Sequence, residues 1–250
     1  NSLAAFFKYK DLRKRILYVL AMLIFYRLGS HIPISGIDLT SLNNLVNNNS
    51  LVSFIDLFSG GSLSRFSVFA LGILPYINAS IIMQLMSFVL PELKALLEEG
   101  ESGRKRVQQI TRYITVVLAL IQALVISLGF RSFVLPDVNF TFFLIYAVIG
   151  LVAGTCLVMY IGELMTENGI GNGASLLIFI GIISQMPFYI KNSVRLIQAG
   201  TNPINVIFMA CILFFIIFGI VLIQEAQRKV NIQYAKRVVG RKMYGGQSTF

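Results

Sequence analysis

The polar side chains inside the apolar runs of this sequence are amides, and the groups that catalysis usually needs do not accompany them. Asn78, Gln84 and Gln122 interrupt long apolar stretches. Five long stretches contain no Asp, Glu, Lys or Arg, and the whole chain has a single His. An intramembrane protease would need paired aspartates, a zinc site or a Ser–His pair. We therefore expect no enzymatic activity, no metal site and no cofactor.

Two interpretations of the three amides stay open. Amides in hydrocarbon seek interhelical hydrogen bonds, each worth about 0.6–2 kcal/mol. Asn78, Gln84 and Gln122 could therefore be static packing contacts between helices, which composition alone favours. The alternative is that they form a polar latch between helices that have to separate.

The composition indicates an integral membrane protein. Hydrophobic residues make up 56% of the 250 residues, and charged residues only 13%. Soluble domains carry about 25% charged residues, because their surfaces face water. Half of that supply cannot cover a protein of this size, so we expect much of the surface to face lipid.

The apolar runs predict six transmembrane helices, since each is about long enough to cross the hydrocarbon core. The first run contains one charge, Arg27, near its far end, where we expect the side chain to reach the headgroups. The six predicted spans are residues 16–34, 66–91, 113–130, 138–162, 168–190 and 196–224.

The distribution of basic residues predicts the orientation. With the N-terminus in the cytosol, 16 of the 21 Lys and Arg residues lie on the cytosolic side and 5 on the other side. Cytoplasmic loops carry the excess of basic residues in membrane proteins. We therefore expect a cytosolic segment at residues 1–15, the spans within 16–224, and a basic cytosolic tail at 225–250.

The connection between the first two spans is unusual. Its apolar segment 51–58 is too short to cross the membrane, and Gly60 and Gly61 follow it, where we expect a flexible junction. Such a segment is typical of a re-entrant or interfacial element. Backbone that enters a membrane without crossing it survives only when it is buried in protein or lines a water-filled cavity. The alternative is an amphipathic loop on the outer surface.

Several long motifs resemble the SecY family, the channel-forming subunits of Sec protein translocons. Residues 69–84 (FALGILPYINASIIMQ) resemble the signature of that family's second span, and residues 160–175 (YIGELMTENGIGNGAS) resemble the signature that enters the fifth. Residues 99–105, 233–237 and 247–249 resemble its cytosolic loops. The similarity extends from about Tyr9 to Phe250 and keeps the order of the motifs.

The resemblance implies an all-α polytopic fold of ten helices in two inverted halves around an hourglass pore. This chain would supply the first half of five helices, the sixth helix and part of the loop beyond it. It would belong to a channel that passes unfolded polypeptides across the membrane and releases transmembrane segments sideways into lipid.

Family roles can be transferred to matching positions. The resemblance implies an apolar pore ring, a plug that seals the resting channel, polar contacts near a lateral gate, and a basic surface that docks a ribosome or motor. From the residues alone, the isoleucines would be packing or lipid-facing side chains and the basic residues topology signals. The implied residues are Ile73, Ile77, Ile178 and Ile182 for the ring; Phe54, Ile55, Asp56, Leu57, Phe58, Ser59, Gly60, Gly61 and Arg65 for the plug; Asn78, Gln84 and Gln122 for the gate; and Arg104, Lys105, Arg106, Arg237, Arg241 and Lys242 for docking.

The resemblance also implies partners and a location. The partners are a SecE-like clamp subunit, a SecG-like small subunit, the ribosome or the SecA ATPase or both, a nascent polypeptide with its signal sequence, and membrane lipid. The location is a bacterial inner membrane or a plastid thylakoid membrane, with both termini of this chain on the cytosolic or stromal side.

Two other classes of function are alternatives to a channel. Inverted repeats and helices broken by Pro or Gly also suit a secondary transporter, although the missing midplane acids count against one. A membrane scaffold or assembly factor without a conduit would not need a plug-like segment.

Overall fold

The computed structural model describes residues 9–198 and 203–227, together with four short strands near the C-terminus. The chain divides into two compact units, residues 1–189 and 190–250. The described helices are α1 (Lys10–Gly29), α2 (Leu39–Asn48), α3 (Ser50–Phe58), α4 (Leu74–Val89), α5 (Pro91–Glu98), α6 (Glu101–Gly129), α7 (Phe140–Asn168), α8 (Gly173–Gln198) and α9 (Pro203–Glu225), with a 3-10 turn at Arg131–Phe133.

Among the described residues, three helices are long and apolar enough to cross a membrane: α6, α7 and the Gly173–Arg195 part of α8. A fourth span results if α4 and α5, which meet at an angle of 100°, are counted together. In α9, the apolar helical stretch Cys211–Glu225 is shorter than a span. By length and composition, three of the six predicted spans thus coincide with helices long enough to cross a membrane. The total of six spans stays a prediction.

Helix α1 ends earlier than predicted. The predicted span reaches residue 34, whereas the helix stops at Gly29 and the chain then forms turns. Its first six positions contain five charged residues, so the apolar part from Ile16 to Gly29 measures about 21 Å, less than the roughly 30 Å of a hydrocarbon core.

The second predicted span is only partly helical. Residues 66–73 form consecutive turns, and α4 begins at Leu74 with Pro75 in its first turn, where proline is well tolerated. Phe66 and Gly72 both have positive φ, +44° and +57°, which an α-helix cannot include. The helical part of this run therefore measures about 24 Å.

Two apolar clusters stabilise the unit of residues 1–189. One surrounds the buried ring of Phe66, whose centroid lies 5.9 Å from those of Phe130 and Phe143. The ring of Phe66 is fully buried against Phe130 and Phe143, although the backbone of this residue has an unfavourable φ. The second cluster contains Val19, Tyr26, Phe69, Ile73, Val158, Ile161, Met165 and Leu177.

The four C-terminal strands form two antiparallel pairs. Strands β1 (Asn231–Gln233) and β4 (Gln247–Thr249) pair with each other, as do β2 (Arg237–Val239) and β3 (Lys242–Tyr244). The inner pair lies between the outer two strands in sequence, so the tail folds back on itself. The sequence analysis did not predict these strands.

Candidate functional site

The candidate plug, residues 54–65, contains α3's second half and a turn organised by one carboxylate. Asp56 is only 6% exposed. Its Oδ1 accepts hydrogen bonds from the backbone N–H groups of Leu63 at 2.9 Å and Ser64 at 3.0 Å, and from Ser59 Oγ at 3.2 Å. These bonds satisfy buried donors that the turn would otherwise leave unpaired. Ser59, Gly60, Gly61 and Leu63 are buried, whereas Phe54 in α3 is 60% exposed.

The two glycines of this turn are tightly constrained. Gly60 and Gly61 have φ values of +67° and +79°, a region that glycine enters without steric cost. A Cβ on Gly60 would lie 3.0 Å from the Cα of Gly181 in α8, and a Cβ on Gly181 would lie 3.0 Å from the carbonyl oxygen of Phe58. At the junction that we expect to be flexible, two backbones therefore meet in close contact, and its flexibility stays a prediction.

Arg27 contacts the same turn. Its Nη1 donates a hydrogen bond to the carbonyl oxygen of Gly60 at 2.9 Å, although the two residues lie in different elements. We expected this side chain to reach the headgroups. The structure instead directs it to the candidate plug, because a backbone carbonyl at the end of α3 offers an acceptor within reach of the last turn of α1.

Three of the four candidate ring residues lie together. Ile73 is 5% exposed within the second apolar cluster, and Ile77 and Ile178 pack against that cluster. Ile73 is the residue before α4, and the N–H of Ile77 donates to its carbonyl oxygen at 3.1 Å, which gives the expected i, i+4 relation. Ile182 is 36% exposed and is not among the residues of the cluster.

Two of the three candidate gate amides line one cavity. Asn78 of α4 and Gln122 of α6 border a cavity of about 280 Å³, which also touches Ile55 of the candidate plug. The remaining lining is aliphatic: Ala70, Leu71, Leu74, Ile121, Val125 and Ile126. Gln84 is exposed and lies outside this lining. The cavity thus joins the candidate plug, the second span and the third.

An ion pair that the sequence analysis missed connects the third and fourth spans. Arg112 Nε of α6 lies 2.7 Å from Glu163 Oε1 of α7, and Gln108 Nε2 donates to the same oxygen at 3.2 Å. The Glu163 side chain is only 6% exposed. In the sequence, Arg112 is one of the 16 basic residues on the predicted cytosolic side and directly precedes the third predicted span, and Glu163 follows directly after the fourth. The sequence signal for this ion pair was a basic residue just before one predicted span and an acidic residue just after the next.

The candidate docking residues fall on two separate parts of the chain. Arg104, Lys105 and Arg106 are exposed in the first turns of α6, where Lys105 pairs with Glu101 at 3.2 Å. Arg237 begins β2 and Lys242 begins β3, and Lys242 pairs in register with Val239. Arg241 lies outside the described residues.

Comparisons with known proteins agree with one another. The family model described as SecY matches residues 67–250. The protein translocase subunit SecY of Thermotoga maritima is 41% identical over 255 residues, and that of Rickettsia typhi is 45% identical over 247 residues. These alignments cover 98% and 96% of this chain but 58% and 57% of the relatives. The chain therefore spans somewhat less than three fifths of the length of the curated relatives it matches.

Solved structures match the fold at lower identity. A structure described as that of a protein conducting channel superposes with a TM-score of 0.58 at 19% identity, covering 95% of this chain and 52% of the other. Canine Sec61, from a ribosome-channel complex of the endoplasmic reticulum, also has a TM-score of 0.58 at 19% identity, with 88% and 49% covered. These likenesses confirm the expected partial translocon fold. On the match to the family model and the identity to curated relatives, the chain belongs to the SecY family of membrane proteins.

Proposed function

We propose that this chain forms the first half and the sixth helix of a protein-conducting channel that passes unfolded polypeptides across a membrane. Membership of the SecY family supports this function. The observation that carries it is the packing of Ile73, Ile77 and Ile178, from two different helices, around one apolar cluster. No enzymatic step is part of the proposal, so the driving energy would come from a partner.

The isoleucines would act as a seal. A narrow ring of aliphatic side chains excludes water, and ions cannot pass where water does not. Ile73, Ile77 and Ile178 are the residues we assign to this ring. Ile182, one turn after Ile178, would be its outer edge, because its side chain is 36% exposed in this half of the channel.

The plug, residues 54–65, would close the channel on one side of the ring. Its buried turn packs against α8 at Gly181, three residues after Ile178. Burial of residues 59–63 in protein supports a re-entrant segment over a loop on the outer surface.

The lateral gate would open beside α4. Asn78 and Gln122 border the cavity next to the plug, which supports a role for these two amides in the gate. Gln84, further along α4 and exposed, would contact a helix of the half that this chain does not include. Amide hydrogen bonds of this kind are weak enough, at about 0.6–2 kcal/mol, to break when helices separate.

The basic segments would face the cytosol and dock a partner. The 16 to 5 distribution of Lys and Arg supports the orientation with both ends of this chain on the cytosolic side. Arg104, Lys105 and Arg106 on α6, together with Arg237, Arg241 and Lys242 in the tail, would bind a ribosome or a SecA ATPase. SecE-like and SecG-like subunits, the signal sequence of a nascent chain and membrane lipid complete the proposed partners.

The seal can be tested by replacing one ring residue. Ile77→Asn places an amide in the ring and should lower the barrier to hydration, so the resting channel should conduct ions. Ile81→Asn is the matched control, because Ile81 lies one turn further along α4 and is half exposed. Conductance of the complete channel in a planar bilayer is the measurement. Unchanged resting conductance in Ile77→Asn, or an equal rise in both variants, would contradict the ring.

A further inference from the structure

Arg27 and Gly181 both contact the same turn of the plug, at Gly60. The Gly60 carbonyl accepts the hydrogen bond from Arg27 Nη1, and the Gly60 backbone lies against Gly181. Arg27 belongs to the last turn of α1, and Gly181 belongs to α8. The turn is thus fixed from two different spans.

We propose that Arg27, Gly60 and Gly181 form a plug clasp, in which Arg27 is the residue that positions the plug in the closed channel. The plug clasp rests on the proposed function in one respect, because that function makes residues 54–65 a plug. It goes further by naming what holds the plug in place and how the contact can be released.

The chemistry of the clasp favours release. The acceptor is a neutral carbonyl, so separation leaves no unpaired carboxylate in the protein. Both the guanidinium and the carbonyl can then hydrogen-bond to water, and a hydrogen bond of this kind makes only a modest net contribution to stability. The contact therefore specifies one position of the plug without making it permanent.

The contact at Gly181 restricts where the plug turn can lie against α8. The carbonyl oxygen of Phe58, the last residue of α3, faces Gly181, where an added methyl group would lie 3.0 Å from it and would require one of the backbones to shift. One turn further along α8, the side chain of Gln185 approaches Gly61, where an added Cβ would lie 2.5 Å from its Nε2. One face of α8 is thus shaped to the end of α3 and to the turn that follows it.

Cysteine accessibility tests the clasp. Ser62 is fully buried within the plug, and Ser127 is fully buried in α6. Ser62→Cys and Ser127→Cys are made separately in the complete channel, with Cys156 and Cys211 replaced by Ser, and a small thiol reagent is applied. Arg27→Met should raise the labelling rate at position 62 by about tenfold or more, the effect of losing one charged hydrogen bond, and leave position 127 unchanged. Arg27→Lys should retain most of the protection, because a lysine can still donate to one carbonyl.

A second variant tests the glycine contact independently. Gly181→Ala should also expose position 62, since its methyl group would press on the Phe58 carbonyl. Gly129→Ala is the matched control, because a Cβ there meets no atom within 4 Å. Unchanged labelling at position 62 in Arg27→Met, an equal rise at positions 62 and 127, or equal effects of Arg27→Lys and Arg27→Met would each overturn the clasp. Labelling reports exposure and not conduction, so its failure is distinct from failure of the Ile77→Asn test.

Discussion

The plug and the junction of the third and fourth spans are each fastened by one arginine, but the two arginines meet different acceptors. Arg27 donates to the backbone carbonyl of Gly60, whereas Arg112 meets the buried carboxylate of Glu163. Removing Arg27 leaves a neutral group behind. Removing Arg112 leaves the buried carboxylate of Glu163 with only the bond from Gln108, which costs more.

This difference separates a contact that can open from one that cannot. A fully buried charge pair broken on one side costs about 3–5 kcal/mol, and the 40% exposure of Arg112 places this pair at the low end of that range. An Arg to carbonyl hydrogen bond contributes about 1.5–3 kcal/mol. In the proposed channel, α6 and α7 would therefore move as one body, and the plug would move against it.

Helix α1 connects the two regions. Arg15 Nη1 donates to the carbonyl oxygen of Gly169, just after α7, at 3.4 Å, and Arg27 reaches the plug from the other end of the helix. Twelve residues separate the two arginines, which corresponds to about 18 Å along the axis. The longer distance at Gly169 indicates the weaker of the two bonds.

The largest effect is expected at the ion pair. Arg112→Met should destabilise the complete channel by about 3 kcal/mol, the low end of the cost of breaking a buried pair, because Arg112 is 40% exposed but Glu163 is buried and keeps only the bond from Gln108. The double variant Arg112→Met, Glu163→Gln should recover most of this loss, since the unpaired charge is gone. The measurement is the thermal unfolding of the wild type, Arg112→Met and the double variant in the same detergent. A double variant no more stable than Arg112→Met would show that packing, and not charge, connects the two helices.

The second effect concerns the internal structure of the plug. Asp56→Ala removes the acceptor that the N–H groups of Leu63 and Ser64 share and leaves Leu63 only the longer bond to Ser59 Oγ at 3.3 Å, at a total cost of about 1–3 kcal/mol. Asp56→Asn keeps a carbonyl acceptor of similar shape, so its cost should be smaller. Amide hydrogen exchange of residues 59–64 is the measurement. Equal exchange in both variants and the wild type would mean that the Arg27 contact alone keeps the turn folded.

The long helices were predictable and the start of the second span was not. Uncharged runs marked α6, α7 and α8, because a helix that crosses lipid must be apolar over nearly its full length. Residues 66–73 are equally apolar but form turns, and hydropathy does not distinguish the two. Gly72 and Pro75 were the only local signs of a late helix start.

The candidate site was predictable where it depends on side chains and unpredictable where it depends on backbone. The resemblance named Ile73, Ile77 and Ile178, and the structure brings them to one cluster. The acceptor of Arg27 is a main-chain carbonyl 33 residues away, and every residue has such a group, so residue types could not identify it. The sequence did contain a signal for the ion pair of Glu163, because Arg112, of opposite charge, lies at the start of the preceding span.

The smallest effect is expected at a partly exposed carboxylate of the loop before the plug. Asp38 precedes α2 and accepts hydrogen bonds from the Thr40 N–H at 3.0 Å, from Thr40 Oγ1 at 2.6 Å and from Ser41 Oγ at 2.6 Å. These bonds, that of Ser41 first, lower the pKa of Asp38 from 3.8 to about 2. Its folded-state pKa therefore lies below the unfolded value. The stabilisation is complete above about pH 4 and is lost as the pH falls through 2.

The wild type, Asp38→Ser and Asp38→Ala together distinguish the effect of the Asp38 helix cap from the effects of the buried contacts. Hydrogen exchange of residues 39–48, corrected for the intrinsic pH dependence of exchange, should show protection in the wild type that declines from pH 4 to pH 2. Asp38→Ser keeps a side chain that favours the cap position but does not titrate, so its protection should not change over that range. Asp38→Ala should lose protection at both pH values. Because the partners of Asp38 are neutral and lie in the first turn of α2, all of these changes should stay confined to α2 and leave the labelling of residue 62 unaltered. A decline in the wild type that also appears in Asp38→Ser would assign it to another group.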